Sequence, residues 1–282
     1  MNDATTPLLT VISVIKEPAA GFEKTRPSVY QEFGDYANVE YLIKEWSPSE
    51  GESVPKHPVQ SAAKANLTVR HIYKTDCNVF DGMNQAVKAA RGTWIVFLNA
   101  GDWFIAGFGE ACLRFLEQHS DADYVYADGV TVDAIDGREF LRQAPEHLTL
   151  ADFLHRAPYL HPCMFVKRTV LLKYAFDIQY DLAADYKLMV QLVSAGKQGH
   201  HLAHPAACIL SGGLSERHRV RAKRQAYRAL LAHSPNLSFQ IHATTAYLHF
   251  LILHTIITIV RKIPPLHRLA KKRTKGKPSG TY

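Results

Sequence analysis

Disulfide chemistry has little to work with in this chain. Its four cysteines, Cys77, Cys112, Cys163 and Cys208, stand far apart with no CxxC pair, which excludes a stapled secreted scaffold and a paired-cysteine zinc site. Reduced thiols are expected. No segment repeats at a solenoid period, so a repeat array is excluded as well. The opening MNDATTPLLT has no basic stretch leading into an apolar run, and a secretory signal is not expected. Acidic side chains are missing from one end: all 26 Asp and Glu precede residue 217, whereas 14 of the 33 Lys and Arg follow it. The formal net charge of +7 therefore joins an acidic body to a basic end. A basic block of this kind meets phosphate, on nucleic acid or on an anionic membrane.

What is present is enough to fold. With 282 residues, 47% of them hydrophobic, the chain can bury a full core, and the expectation is one main domain with an appendage. Leu8 to Ile15 is an apolar, β-branched run, and Gly21 to Phe33 follows with helical spacing. Val39 to Ile43 and Leu67 to Tyr73 read as further strands. In FDGMNQAVKAARG, Met83, Ala86, Val87 and Ala90 recur at helical spacing and Gly92 supplies a stop. Trp94 to Leu98 is a continuous apolar run, as in a strand buried on both faces of a mostly parallel sheet. A helix at Phe108 to His119 and a strand at Tyr124 to Ala127 complete the series. Alternating strands and helices predict an α/β open sheet with ligands at the carboxyl ends of its strands. Beyond Ile135 the pattern loosens, with helices expected at Arg168 to Tyr174 and Ala184 to Ala195.

Carboxylates stand at two informative places. Asn99-Ala100-Gly101-Asp102 directly follows the buried strand, which puts Asp102 where open-sheet sites form. A hard divalent cation needs only one or two protein carboxylates if a diphosphate supplies the rest, although a plain Gly-Asp turn reads equally well. Asp181 and Asp185 lie four apart at the head of a helix, and either is also the kind of residue that caps one. Spacing alone leaves both choices open. His200, His201 and His204 carry no helical signal that would make them a metal site.

The ordered series TVISVIKEPAAGFEKTRPSVYQE, EYLIKEWSPSEGES, FDGMNQAVKAARGTWIVFLNAGD, HPCMFVKRTVLL, AADYKLMVQLVSAG and GGLS resembles glycosyltransferase family 2. It is similar in particular to the bacterial branch that assembles exopolysaccharide and colanic-acid-like repeats. The resemblance runs roughly from Thr10 to Ser215, and the order is more specific than any single piece. It implies the GT-A fold over residues 1–215 and inverting transfer of a sugar from a nucleoside-diphosphate donor, UDP by preference, to an acceptor hydroxyl. Asp102 then matches the family's metal-binding Asp, for Mg²⁺ or Mn²⁺, with Asn99 where a first Asp often stands. Asp185 matches the catalytic base. Asp81 and Asn84 match a segment near the donor phosphates and sugar, the rival reading making Asp81 a helix cap. Glu45 and Glu50 occupy places where the family has Asp near the nucleoside, and Lys16 departs from the usual residues after the first strand. His161 matches a His that lines the acceptor pocket in relatives, and a core or turn histidine is the competing reading.

Residues 216–282 form the basic extension. From Phe239 to Val260 there are 22 residues without a charge, 14 of them apolar, and eight Lys and Arg follow between 261 and 277. A helix there would reach roughly 33 Å, yet its scattered His and Thr favour a segment lying on, or partly inserted into, an anionic membrane through residues 239–277. Packing on the domain with a solvated basic end is the alternative. The expected setting is the cytoplasmic face of the inner or plasma membrane, with a lipid-linked saccharide as acceptor and no nucleic acid as partner. Two rivals remain, a degenerate relative that binds donor without turnover and a nucleic-acid-binding protein using the basic end. A nucleotidyltransferase ranks below both, because no Gly-rich Arg/Lys loop follows the first strand.

Overall fold

A computed structural model of the chain describes residues 6–16, 21–47 and 66–262. In chain order the first half runs β1 (Leu9–Ile15), α1 (Phe22–Phe33), β2 (Val39–Glu45), β3 (Thr68–Tyr73), α2 (Val79–Ala89), β4 (Trp94–Phe97), β5 (Trp103–Phe104), α3 (Phe108–Gln118) and β6 (Tyr124–Val132). The second half adds β7 (Glu139–Arg142), β8 (Met164–Lys167), α4 (Arg168–Lys173), α5 (Ala184–Ser194), β9 (Gly199–Leu210), α6 (Leu214–Arg217), α7 (Arg219–Ala232) and α8 (Leu237–Lys262). All nine strands join one sheet in the order β3-β2-β1-β4-β8-β6-β9-β5, with β7 on β6.

The expected open α/β sheet with a C-terminal helical extension is present, and its parallel character is concentrated on one side. β3, β2, β1 and β4 are all parallel, whereas β8 inserts antiparallel between β4 and β6. Strand order reverses at the β1/β4 boundary, because β2 and β3 lie to one side of β1 and β4 to the other. Such a reversal opens a crevice at the strands' carboxyl ends.

The continuous apolar runs are buried on both faces. Leu9, Val11, Ile15, Tyr41, Ile43, Trp94 and Val96 pack with α1 and α3 on one side. Ile12, Val14, Leu42, Ile95 and Phe97 pack with α2 and α5 on the other. Period-two alternation along each strand makes this division. Gly92 does more than end a helix: the last turn of α2 closes at Ala90, and a Cβ at Gly92 would lie 2.6 Å from the Thr10 backbone nitrogen. Only a residue without a side chain lets the chain enter β4 so close to β1.

β8 and β9 escape sequence patterning for a local reason. β9 reads GHHLAHPAACIL and carries Pro205 opposite Asp128, where its register with β6 shifts. Proline has no N–H for the ladder, so the strand survives there only as an irregularity. The same register shift lets β6 run on to Val132, past the expected end at Ala127.

The extension is built onto the body. Ala226, Ala229 and Leu230 of α7 and Ala243 of α8 belong to the same core as α2 and α5. Gly92→Ala is expected to destabilise the chain by about 2 kcal/mol, as overpacking against backbone does. Urea unfolding would measure it, and an unchanged midpoint would mean that the β1/β4 entry relaxes freely.

Candidate active site

The turn after β4 lies at the strand-order reversal and is held by one hydroxyl. Thr25 Oγ1, on α1, donates to the Asp102 carbonyl at 2.7 Å or the Asn99 carbonyl at 3.1 Å, and accepts from Gly101 N–H at 3.1 Å. Asp102 N–H closes the turn on the Asn99 carbonyl. Asn99 Oδ1 accepts from Val14 N–H at 3.3 Å, tying the turn to β1. Gly101, at φ 99°, faces Gly21, where a Cβ would come within 2.7 Å of the Gly101 Cα. Nothing in the local pattern marks Thr25 for this role, since its partners in the turn are 74 and more residues away.

Asp102 itself is left without compensation. Among the described residues no hydrogen bond or ion pair reaches its carboxylate, and burial pushes its pKa from the ordinary 3.8 to about 7. A desolvated, unpaired carboxylate at a ligand crevice suits a hard cation, which would restore its charge. No group of three or more His, Cys, Asp or Glu among the described residues could hold a metal alone, so any ion here would take its remaining ligands from substrate oxygens. The three histidines on β9 are spent otherwise, with His201 Nε2 2.9 Å from Asp128 Oδ1 and His204 Nδ1 3.0 Å from the Pro205 carbonyl.

A second carboxylate stands at the head of α5. Asp185 lies in the first turn of α5, where among the described residues its Oδ1 accepts only the neighbouring Tyr186 N–H at 2.8 Å. It is not the cap, which is Ala183 with no side-chain bond. Asp181 is occupied: Arg221 Nη2 donates to it at 2.7 Å and Gln225 Nε2 at 2.8 Å. α7 thus engages Asp181, whereas none of its side chains bonds Asp185 among the described residues.

The short 3-10 turn His161–Cys163 feels the charge of both carboxylates. Asp185 raises the His161 pKa against the larger downward effect of burial, and Asp102 contributes to the upward shift at Cys163. His161 lies between Phe97, stacked at 5.5 Å, and Phe176, edge-on at 5.7 Å. Burial holds it below the usual imidazole range, so it is a neutral ring in an aromatic slot at neutral pH.

The remaining expected residues are placed as follows. Asn78 caps α2 by accepting from Phe80 and Asp81 N–H, both at 3.0 Å. Asp81 follows in the first turn and accepts from Cys77 N–H at 3.1 Å and Gln85 Nε2 at 3.3 Å. Asn84 grips the Phe176 backbone with both ends of its amide, at 2.8 and 3.0 Å, which fixes the aromatic slot from below. Glu45 is buried at the carboxyl end of β2, while Glu50 lies outside the described residues. Lys16 Nζ sits 4.8 Å from the centre of the Trp46 ring. Sequence reasoning passed over Lys44, whose fully buried side chain pairs with Asp76. A lysine inside the apolar run YLIKE was the available signal, because a buried ammonium requires a partner.

No family model matches the chain. A "PGL/p-HBAD biosynthesis glycosyltransferase" of Mycobacterium tuberculosis is 40% identical over 55 residues, 19% of this chain and 22% of that protein. The same figures hold for a counterpart in Mycobacterium bovis. The match thus spans about a fifth of these relatives' length. Among solved structures, S. aureus TarS 1–349 in complex with UDP-GlcNAc aligns with a TM-score of 0.59 at 15% identity, over 86% of this chain and 71% of that one. The mannosyltransferase PcManGT from Pyrobaculum calidifontis, in complex with GDP-Man and Mn2+, aligns with a TM-score of 0.54 at 12% identity, over 94% and 83%. At those identities the likeness is one of fold: this chain has the α/β architecture of solved glycosyltransferases.

The Asp102 environment has a consequence for stability. Near pH 4 the folded chain keeps the Asp102 proton, and between there and about pH 7 the unfolded chain releases it while the folded chain does not. Asp102 therefore withdraws stability as pH rises through that window. In metal-free buffer, Asp102→Asn is expected to melt with the wild type near pH 4 and to be more stable at pH 8, by on the order of 2 kcal/mol. Thermal unfolding at both pH values checks this, and a more stable wild type at pH 8 would show that the carboxylate is compensated.

Proposed function

We propose that the chain is an inverting glycosyltransferase of the family 2 type. It moves a sugar from a nucleoside-diphosphate donor, a UDP-sugar by preference, to a hydroxyl of a lipid-linked saccharide in bacterial surface polysaccharide synthesis. The observation that carries the reading is an Asp102 at the strand-order reversal that no described side chain pairs, together with an Asp185 whose carboxylate meets only a backbone N–H among the described residues, each acting electrostatically on the same 3-10 turn. The shared fold supports it, as does the short match to glycosyltransferases.

In this reading the two carboxylates divide the work. The acceptor oxygen bonds to the anomeric carbon as the bond to the donor phosphate breaks, and its proton passes to Asp185 as it attacks. Attack from the face opposite the leaving group inverts that carbon. Asp102, together with the diphosphate, would hold Mg²⁺ or Mn²⁺, which when bound neutralises charge on the departing nucleoside diphosphate. Asn99 and the Asp81–Asn84 turn of α2 shape the phosphate and sugar end, with Glu45 and Glu50 assigned to the nucleoside. His161, neutral and flanked by Phe97 and Phe176, offers the acceptor sugar an apolar wall with a hydrogen-bonding edge.

The site works at the cytoplasmic face of the membrane, with the extension over residues 239–277 directed at anionic lipid. A catalytically degenerate chain that only binds donor is the second reading, favoured by Lys16 beside Trp46 and by glutamates at 45 and 50.

Calorimetry with a panel of nucleoside-diphosphate sugars, with and without Mn²⁺, tests the donor site. One donor is expected to bind in a metal-dependent way that Asp102→Ala abolishes. Asp185→Asn should keep that binding and lose transfer by about 10³-fold; donor binding with no transfer by the wild type would leave only the degenerate reading. Gln225→Leu, which removes one of the two partners of Asp181 and the acceptor of the Leu182 N–H, is expected to lower kcat several-fold with donor KM unchanged. Equal changes in both would reduce Gln225 to a general structural role.

A further inference from the structure

The two faces of α8 differ sharply. Its inner face is committed to the body: Ala243, Ala246 and Phe250 are buried. The Tyr227 and Tyr247 rings stack at 4.5 Å, and Tyr227 Oη lies 3.0 Å from Thr244 Oγ1. Lys223 Nζ sits 5.9 Å from the Phe250 ring centre and donates to the His155 carbonyl at 2.6 Å. These contacts hold the helix along α7 as far as Phe250.

The outer face is apolar and uncovered. Leu237, Ile241, Leu248, Ile252, Ile256 and Ile259 are each at least half exposed, Ile252 at 60%. At 3.6 residues per turn they fall within an arc of about 100°, a single stripe running the length of the helix. Two threonines interrupt it, but Thr245 Oγ1 donates to the Ile241 carbonyl and Thr255 Oγ1 to the Leu251 carbonyl, both at 2.8 Å. Their hydroxyls are spent within the helix, and their methyl groups extend the stripe.

Charge decides what covers it. After Glu216 the chain has no carboxylate, with six Lys and Arg between 217 and 228 and eight between 261 and 277. A second copy of the chain would bring the same cationic set to the same stripe and be repelled. An anionic lipid surface attracts it and takes the isoleucines below its headgroups.

Length decides the geometry. The stretch Leu237–Val260 is long and apolar enough to cross a membrane. With its first half packed on α7, however, only residues 251–262 extend past Phe250, a rise of about 18 Å against a hydrocarbon core of about 30 Å.

We propose that α8 docks in the plane of an anionic bilayer through its Leu237–Ile259 stripe, both helix ends remaining on one side of the membrane, while α7 keeps the helix fixed to the catalytic body. This deepens the membrane setting proposed above and is independent of whether sugar is transferred. α7 also holds Asp181 and the Leu182 backbone just ahead of Asp185. The membrane foot and the base-bearing turn thus share one support.

Flotation of the full chain with vesicles tests the surface, using phosphatidylcholine alone or mixed equally with phosphatidylglycerol. Binding is expected to the anionic vesicles and to fall about tenfold or more both without phosphatidylglycerol and in the Ile252→Glu/Ile256→Glu variant. Circular dichroism confirms that this variant folds. A Ser279→Cys label in a Cys77→Ser background reports the geometry, because an impermeant maleimide added outside should react fully with bound protein. Protection of that thiol would mean a spanning helix and overturn in-plane docking. Flotation indifferent to the double variant would remove the stripe from the interaction. Absence of flotation, whether or not the chain self-associates through the stripe, would overturn the proposal. Loss of sugar transfer with flotation intact would count against the enzyme reading alone.

Discussion

The Thr25 hydroxyl is the constraint on which this architecture turns. It lies on α1 and binds three backbone groups of the Asn99–Asp102 turn, so the first helix dictates how the chain leaves β4. Glycine at 21 and 101 lets the two segments approach closely enough for those bonds to form. The outcome is a carboxylate that the fold desolvates and that no described residue pairs. A buried charge without a partner costs stability in the free chain. That cost is intelligible where a ligand later supplies the opposite charge.

The same logic runs through the other half of the site, with the partner supplied from far along the chain. α7 engages Asp181 through Arg221 and Gln225 and holds the Leu182 N–H through Gln225 Oε1. Ser215 takes the Leu182 carbonyl. Four bonds from residues 215–225 therefore brace the turn that leads into α5. What composition marks as a basic appendage is, in three dimensions, packed against α5, and α8 is carried on it.

Much of the framework was legible before any coordinates. Apolar runs bounded by glycine and turn residues located β1, β2 and β4, which are buried throughout, and alternation of apolar and polar residues located β3, the half-exposed edge strand. The helices Phe22–Phe33, Val79–Ala89 and Ala184–Ser194 followed from helical spacing. β8 and β9 were not legible. One is four residues long, and the other contains three histidines and a proline whose ladder defect is absorbed by a register shift in its neighbour. Among the candidate residues, sequence put Asp102 at a strand end and Asp185 at a helix head. It could not say that Asn84 would grip Phe176, or that Lys44 would find Asp76 across a 32-residue separation.

Local chemistry fixes local outcomes: periodicity decides which segments are strands or helices, and the missing carboxylates after Glu216 decide the sign of the charge that the chain's end carries. Which of two aspartates is free, whether a carboxylate is paired, and which face of α8 is uncovered depend on contacts between residues tens of positions apart. No pattern read along one dimension contains those contacts. They arise when packing brings α1 to the β4 turn and α7 to the head of α5, and burial then sets the charge state and availability of the groups left between them.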